Sequence, residues 1–189
     1  MAAFAYAGKI LKVDLSSGKT SDIPTDVYAS RFLGGRGIGL KIHWDEVPPE
    51  VGALDPENRL VFATGPLGGI PTIGGSRWQA SGKSPVADPE QFNYCNLGGS
   101  WGAYLKFAGY DAVVVHGKSE RPVYLYIDGS TVRIKDSSHL WGRGAIEARG
   151  MLKEELGSNV RVVSIGVAGE HMVSLASLLA DDDASGSGG

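Results

Sequence analysis

Glycine constrains this chain more than any other residue: 28 of its 189 positions are glycine, about twice the average usage. They do not form a low-complexity tract. They fall singly and in pairs, as in Gly34-Gly35, Gly68-Gly69, Gly74-Gly75 and Gly98-Gly99, between segments patterned like strands and helices. A residue without a Cβ marks a tight turn or a place where main chain must approach something closely. The chain is therefore expected to fold as many short elements joined by turns. Three clusters stand out: GGSRW at 74–78, CNLGGSWG at 95–102 and ASGSGG at 184–189.

The first cluster runs on into Gly82-Lys83-Ser84, the closing letters of a phosphate-binding loop. That loop requires a further glycine five positions earlier and a helix after it. The earlier position holds Arg77, and Pro85 follows the serine. The dinucleotide fingerprint fails as well, because Gly35-Arg36-Gly37 would need glycine where Leu40 stands.

Composition narrows the classes. At 42% hydrophobic the chain can bury a sizeable core, and its net charge of −3 is spread without long single-sign runs. Neither nucleic acid nor an anionic membrane is indicated as partner. No stretch reaches the length of a membrane span. The N-terminal MAAFAYAGKILKVDL has no basic leader, so a cytoplasmic location is expected. The single cysteine, Cys95, excludes an internal disulfide framework and cannot alone hold zinc or an iron–sulfur cluster. It is expected in a loop, with no basic neighbour in sequence to activate it as a nucleophile. His43, His116, His139 and His171 lie in four different elements without ligand spacing. No GxSxG elbow occurs.

Local patterning predicts an α+β, β-rich fold. Strands are expected at Lys9–Leu15 and Lys19–Pro24 around Ser16-Ser17-Gly18, and at Arg59–Thr64, Arg77–Ser81 and Ala112–His116. A second hairpin joins Val123–Ile127 to Thr131–Lys135, and Val160–Ile165 reads as a strand. Helices are expected from Thr25 or Asp26 to Leu33, and at Ile38–Glu46, Trp101–Ala108, Gly144–Leu156 and Glu170–Leu179. Hairpin, helix and then RLVFATGPLGG are followed later by hairpin, helix and RVVSIGVAGEH. This order suggests an internal duplication with pseudo-repeats of about 7–110 and 111–189, although hairpin-plus-helix is also a common unit in its own right.

The glycine clusters let backbone amides reach a large polar ligand. Arg77 suits an anion such as phosphate, or is a solvated rim charge. Trp78 and Trp101 offer flat faces to a heterocycle, or belong to the core. Asn96 offers a carbonyl oxygen to a hard cation, or caps the helix that starts at Trp101.

The strings GKILKVDLSSGK, FLGGRGIG, DPENRLVFATGPLGG, GGSRW…KSP, LKFAGYDAVVVHGK, RPVYLYI, SHLWG and VRVVSIGVAGE, in this order and spacing, carry a resemblance along the whole length. The chain resembles the N-terminal domain of the aldehyde ferredoxin oxidoreductase family of tungsten enzymes. The resemblance implies a β-rich seat for a tungstopterin cofactor: two pterins on one metal, tungsten or else molybdenum, with phosphates bridged by Mg²⁺. It implies pterin contacts from Gly75, Arg77 and Trp78, from Asn96, Leu97, Gly98 and Gly99, and from Ala184, Ser185 and Gly186. Asn96 and the Ala184 carbonyl would also be Mg²⁺ ligands.

The chain departs from the family pattern in two clusters. Asp183 and Ser187 stand where arginines are usual, and Leu97 where serine is usual. These changes look like the branch that includes the tungsten subunit of benzoyl-CoA reductase. Family enzymes carry a [4Fe–4S] cluster and the acid/base residues in further domains. This chain is therefore expected to be a fragment or one product of a split gene, with the rest of the enzyme as partner, and to be inactive alone. Three functions follow: aldehyde oxidation with ferredoxin or another iron–sulfur protein as acceptor, reduction of an aromatic acyl-CoA, or a non-catalytic pterin-binding or assembly module. A homodimer is compatible with each.

Overall fold

A computed structural model describes residues 5–71, 74–181 and 185–186. Strands β1 (Lys9–Asp14) and β2 (Lys19–Pro24) form the first hairpin. In its turn, Asp14 Oδ1 accepts from the Ser16 amide at 2.9 Å. Two helices follow, α1 (Asp26–Phe32) and α2 (Arg36–Glu46), then β3 (Leu60–Thr64), β4 (Trp78–Ser84) and β5 (Gln91–Leu97) as an antiparallel meander. After α3 (Trp101–Phe107), β6 (Ala112–His116) returns to the middle of the sheet. It lies parallel to β1 and antiparallel to β3, giving the order β2-β1-β6-β3-β4-β5.

Both faces of this sheet are covered, which explains why AVVVH reads as a continuous apolar run. Alternate residues go to opposite layers. Ile10, Val61, Ala112 and Val114 pack against Tyr28, Ile38 and Ile42 of the helices. Leu11, Val13 and Val113 face Leu105 and Tyr110, backed by Leu125, Ile127, Val132 and Ile134. Those last four belong to the hairpin of β7 (Val123–Asp128) and β8 (Thr131–Asp136).

Two polar clusters tie the layers together. Asp111 is 1% exposed. Its carboxylate accepts from the Ala7 and Gly8 amides at 2.9 and 2.8 Å and from Thr25 Oγ1 at 2.7 Å, with Lys106 Nζ at 3.5 Å. Thr25 thus spends its hydroxyl on Asp111, and α1 has no side-chain cap. In the second cluster Glu46 receives Lys12 at 2.6 Å and Arg59 at 3.0 Å. Burial works to raise the Glu46 pKa, but these two cations outweigh it and bring the net value below the ordinary 4.5. The stability so gained is fully present above the ordinary value and is lost as pH falls through the lower folded-state value. Glu46→Gln is accordingly expected to be less stable than wild type at neutral pH, with the gap closing under acid. Urea unfolding across that range checks this; a constant gap would rule it out.

The second half departs further from expectation. Helix α4 (Ala145–Leu156) ends at Gly157, whose φ is 99°. Then come β9 (Val163–Ser164), a short α5 (Val167–Glu170), β10 (Leu178–Ala180) and β11 (Ser185–Gly186) in a small sheet ordered β11-β10-β9. The helix expected at Glu170–Leu179 does not form. Met172 adopts a φ of 55°, which ends the turn, and Leu178–Ala180 pairs with β9 and β11 instead. The strand expected at Val160–Ile165 shrinks to two residues. Strand β6, although it follows residue 110, belongs to the first sheet.

Candidate functional site

Strand β5 was expected to be loop around Cys95. Seven-position pairing with β4 makes it a sheet edge despite its asparagines, a case of tertiary pairing overriding local preference. The register sets Trp78 opposite Leu97 and Gln79 opposite Asn96. Successive residues alternate faces, and this divides the site into a core side, packed under α3, and a side on which α2 lies.

The core side holds Trp78, Ala80 and Leu97, packed with Ala180, Cys95 and Trp101. Trp78 is 1% exposed, donates its indole N–H to the Gly98 carbonyl at 3.0 Å, and lies 4.4 Å from Trp101 between ring centroids. A Cβ on Gly102 would sit 2.8 Å from the Trp78 Cβ, so glycine is what lets α3 cross there. Trp78 is thus a core residue and Trp101 packs half-buried against it; with its ring spent in packing, Trp78 has no free face for a ligand, which corrects the stacking-platform alternative for it. Burial pushes the Cys95 thiol pKa up, which leaves it a poor nucleophile near neutral pH.

The other face is the one α2 packs on at Ser81, and beyond α2 the glycine loops gather at one end of the β4–β5 pair. A Cβ on Gly75 would meet the Leu67 carbonyl oxygen at 2.0 Å, and the Gly69 amide bonds to the Gly75 carbonyl at 3.2 Å. The loop from Leu67 to Gly75 therefore closes on itself two residues before Arg77. The Gly98 Cβ position lies 3.9 Å from Arg77 Nη1, and Gly99 turns the chain with a φ of 74°. Gly186 packs on the core side of the same end of β5, where a Cβ would meet Cys95 Sγ and Leu97 at 2.8 Å. Ser185 is exposed beside it. Ala184 lies outside the described residues, as do Asp183 and Ser187–Gly189.

Asn96 is exposed and does not cap α3, whose N-cap is Ser100. Its Oδ1 accepts instead from Gln79 Nε2 at 2.5 Å. Next to this pair a groove of about 310 Å³ opens, lined by Gly35, Arg36, Gly65, Pro66, Arg77 and Gln79 among others. The turn before α2 is pressed onto the end of β3: the Gly35 amide bonds to Thr64 O at 3.0 Å, and a Cβ on Gly34 would lie 3.0 Å from the Gly65 Cα. Sequence reasoning missed Arg36, Gln79 and Tyr94 here. The glycine pair before Arg36 was the available signal, since it marks a close approach. Among the described residues no three His, Cys, Asp or Glu side chains come together as a metal site, and no helix is long and apolar enough to cross a membrane.

Comparison with known proteins places the chain in a family. The sequence model of the aldehyde ferredoxin oxidoreductase N-terminal domain matches residues 10–189. The tungsten-containing aldehyde ferredoxin oxidoreductase of Pyrococcus horikoshii is 43% identical over 93% of this chain, which spans 29% of that protein. An aliphatic sulfonate oxidoreductase, WOR-like subunit, of Pyrococcus furiosus is 34% identical over 93% of the chain and 30% of its own length. A solved active-site complex BamBC of benzoyl coenzyme A reductase, bound to 1,5-dienoyl-CoA, contains a chain with TM-score 0.92 and 42% identity. It covers 97% of this chain, which in turn spans 28% of it. Family match and relatives agree: this chain belongs to the aldehyde ferredoxin oxidoreductase family, as its N-terminal domain.

Proposed function

We propose that this chain is the cofactor-seating part of a tungstopterin oxidoreductase. The whole protein would convert an aldehyde and water to a carboxylic acid, two protons and two electrons. The electrons would leave singly through a [4Fe–4S] cluster, held outside this chain, to ferredoxin or another iron–sulfur protein. The observation that carries the reading is the convergence of Gly75, Arg77, Gly98 and Gly186 at one end of β4–β5, beside a groove lined by cationic side chains. Main chain unshielded by Cβ atoms, with guanidinium groups and an unpartnered Gln79 carbonyl oxygen nearby, suits a large phosphorylated heterocycle. These residues fit the pterin.

Bound there, the metal supplies a Lewis acid and an electron sink. Arg77 would hold a phosphate, and Gly98 and Gly99 would give it amides. Asn96 would exchange its bond from Gln79 for Mg²⁺, with Ala184 as the second protein ligand. Trp78 and Leu97 would support the seat from below. The duplication would then match a two-fold ligand with two half-sites. The location would be cytoplasmic, and the partner the remainder of the enzyme, in one chain or two. The close likeness to a chain of the benzoyl coenzyme A reductase complex supports a second reading, reduction of an aromatic acyl-CoA.

Elemental analysis for tungsten and molybdenum, with pterin fluorescence after acid release, tests the seat in the complete enzyme. Arg77→Ala is expected to cut the pterin retained by about tenfold or more, the worth of one charge-assisted bond. Undiminished pterin in that variant would sink the assignment. Assays with an aldehyde and with an aromatic acyl-CoA separate the two chemistries. Turnover of either by the 189-residue chain alone would overturn its expected inactivity.

A further inference from the structure

We propose that Arg36 and Gln79 extend the site: with Arg77, they make an anion patch and a hydrogen-bond acceptor for a phosphorylated heterocycle that bears a ring or amino N–H. The proposal rests on the seat reading and adds residues to it.

Arg36 opens α2 and reaches over to the neighbouring strand. Its guanidinium carbon lies 3.8 Å above the centroid of the Tyr94 ring. Stacking fixes the plane of the group and leaves its edge N–H donors free. Neither Arg36 nor Arg77 makes an ion pair with any described carboxylate, and no acidic side chain is among the described residues that line their groove. Two like charges facing one groove repel until an anion neutralises them. The planar fork of each guanidinium matches a phosphate group.

Register places the rest. Tyr94 pairs with Ser81 and Asn96 with Gln79, so Tyr94, Asn96 and Gln79 share one face of β4–β5, the face on which α2 with its Arg36 lies. Gln79 turns its Nε2 to Asn96, while its Oε1 is buried without a partner at the groove wall. A buried carbonyl oxygen left unpaired is costly, and an N–H from the ligand removes that cost. The patch thus asks for an anionic group and a nearby N–H on one molecule.

Titration of the 189-residue chain with inorganic pyrophosphate reads the anion patch. Arg36→Ala is expected to weaken binding by about tenfold or more, as is Arg77→Ala. Arg36→Lys keeps the charge but loses fork and stack, and falls between. Gln79→Leu leaves pyrophosphate affinity unchanged and lowers the pterin retained by the complete enzyme. Arg36 is exposed, so thermal melting should match wild type and separate lost binding from lost fold. A wild-type chain that does not bind pyrophosphate, or an Arg36→Ala variant that binds it normally, overturns the proposal. If binding depends on Arg36 but no pterin is recovered from the complete enzyme, the anion patch stands and the pterin reading falls. If pterin is recovered and Arg36→Ala changes neither readout, the reverse holds.

Discussion

Asp111→Ala is expected to destabilise the protein by about 3–5 kcal/mol, the cost of breaking a buried charged cluster from one side. For a chain of this length that is roughly 10 °C in melting midpoint. The carboxylate, 2% exposed, is the only group that satisfies the Ala7 and Gly8 amides and the Thr25 hydroxyl among the bonds described, and it faces Lys106. Without it, the Thr25 hydroxyl stays buried and unpaired, and the part-buried Ala7 and Gly8 amides lose their acceptor. The damage would spread, because Lys106 Nζ also reaches the carbonyls of Pro66 at 2.9 Å and Gly65 at 3.3 Å, at the edge of the groove. Asp111→Asn retains an acceptor but no charge and should lie between. Melting curves of the three proteins check the ordering; a shift under roughly 2 °C for alanine would mean the cluster carries little.

The second large effect is on binding. Gly75→Ala is expected to strip the complete enzyme of most of its tungsten and pterin. The added methyl would lie 2.0 Å from the Leu67 oxygen and 2.9 Å from its carbon, both main chain, so no side-chain rotation relieves the clash. The loop must open, and Arg77 moves with it. Gly74→Ala is the control. Its Cβ meets nothing within 4 Å, although its φ of 65° makes alanine strained, at a cost of about 1 kcal/mol. Both variants should fold, since overpacking at one site costs about 1–3 kcal/mol. Equal pterin content in the two would show that the loop does not shape the seat.

Much of this was legible in the residues. AVVVH and KILKVD declare strands, and the Gly18 and Gly129 turns declare hairpins. The site was harder. QFNYCNL has no strand period that a single sequence reveals; only its seven pairings with β4 make it one. EHMVSLASLL has helical spacing, yet the strand partners of Leu178–Ala180 lie elsewhere in the chain. Trp78 could be platform or core, because the choice depends on the register with Leu97 and on Gly102 across the layer. Arg36 was invisible for the same reason: its partner Tyr94 is 58 residues away in a strand that local pattern did not announce.

The insertion of β6 between β1 and β3 has a consequence for synthesis. A ribosome completes β1, β2 and β3 well before it makes Ala112–His116. The intervening fifty or so residues take roughly 3–10 s to translate. Over that interval the nascent chain carries two apolar strand edges with an empty slot between them, open to wrong partners. Cells making this protein would need to shield it during those seconds. A stop codon before residue 116 should yield an aggregating product, not a smaller domain.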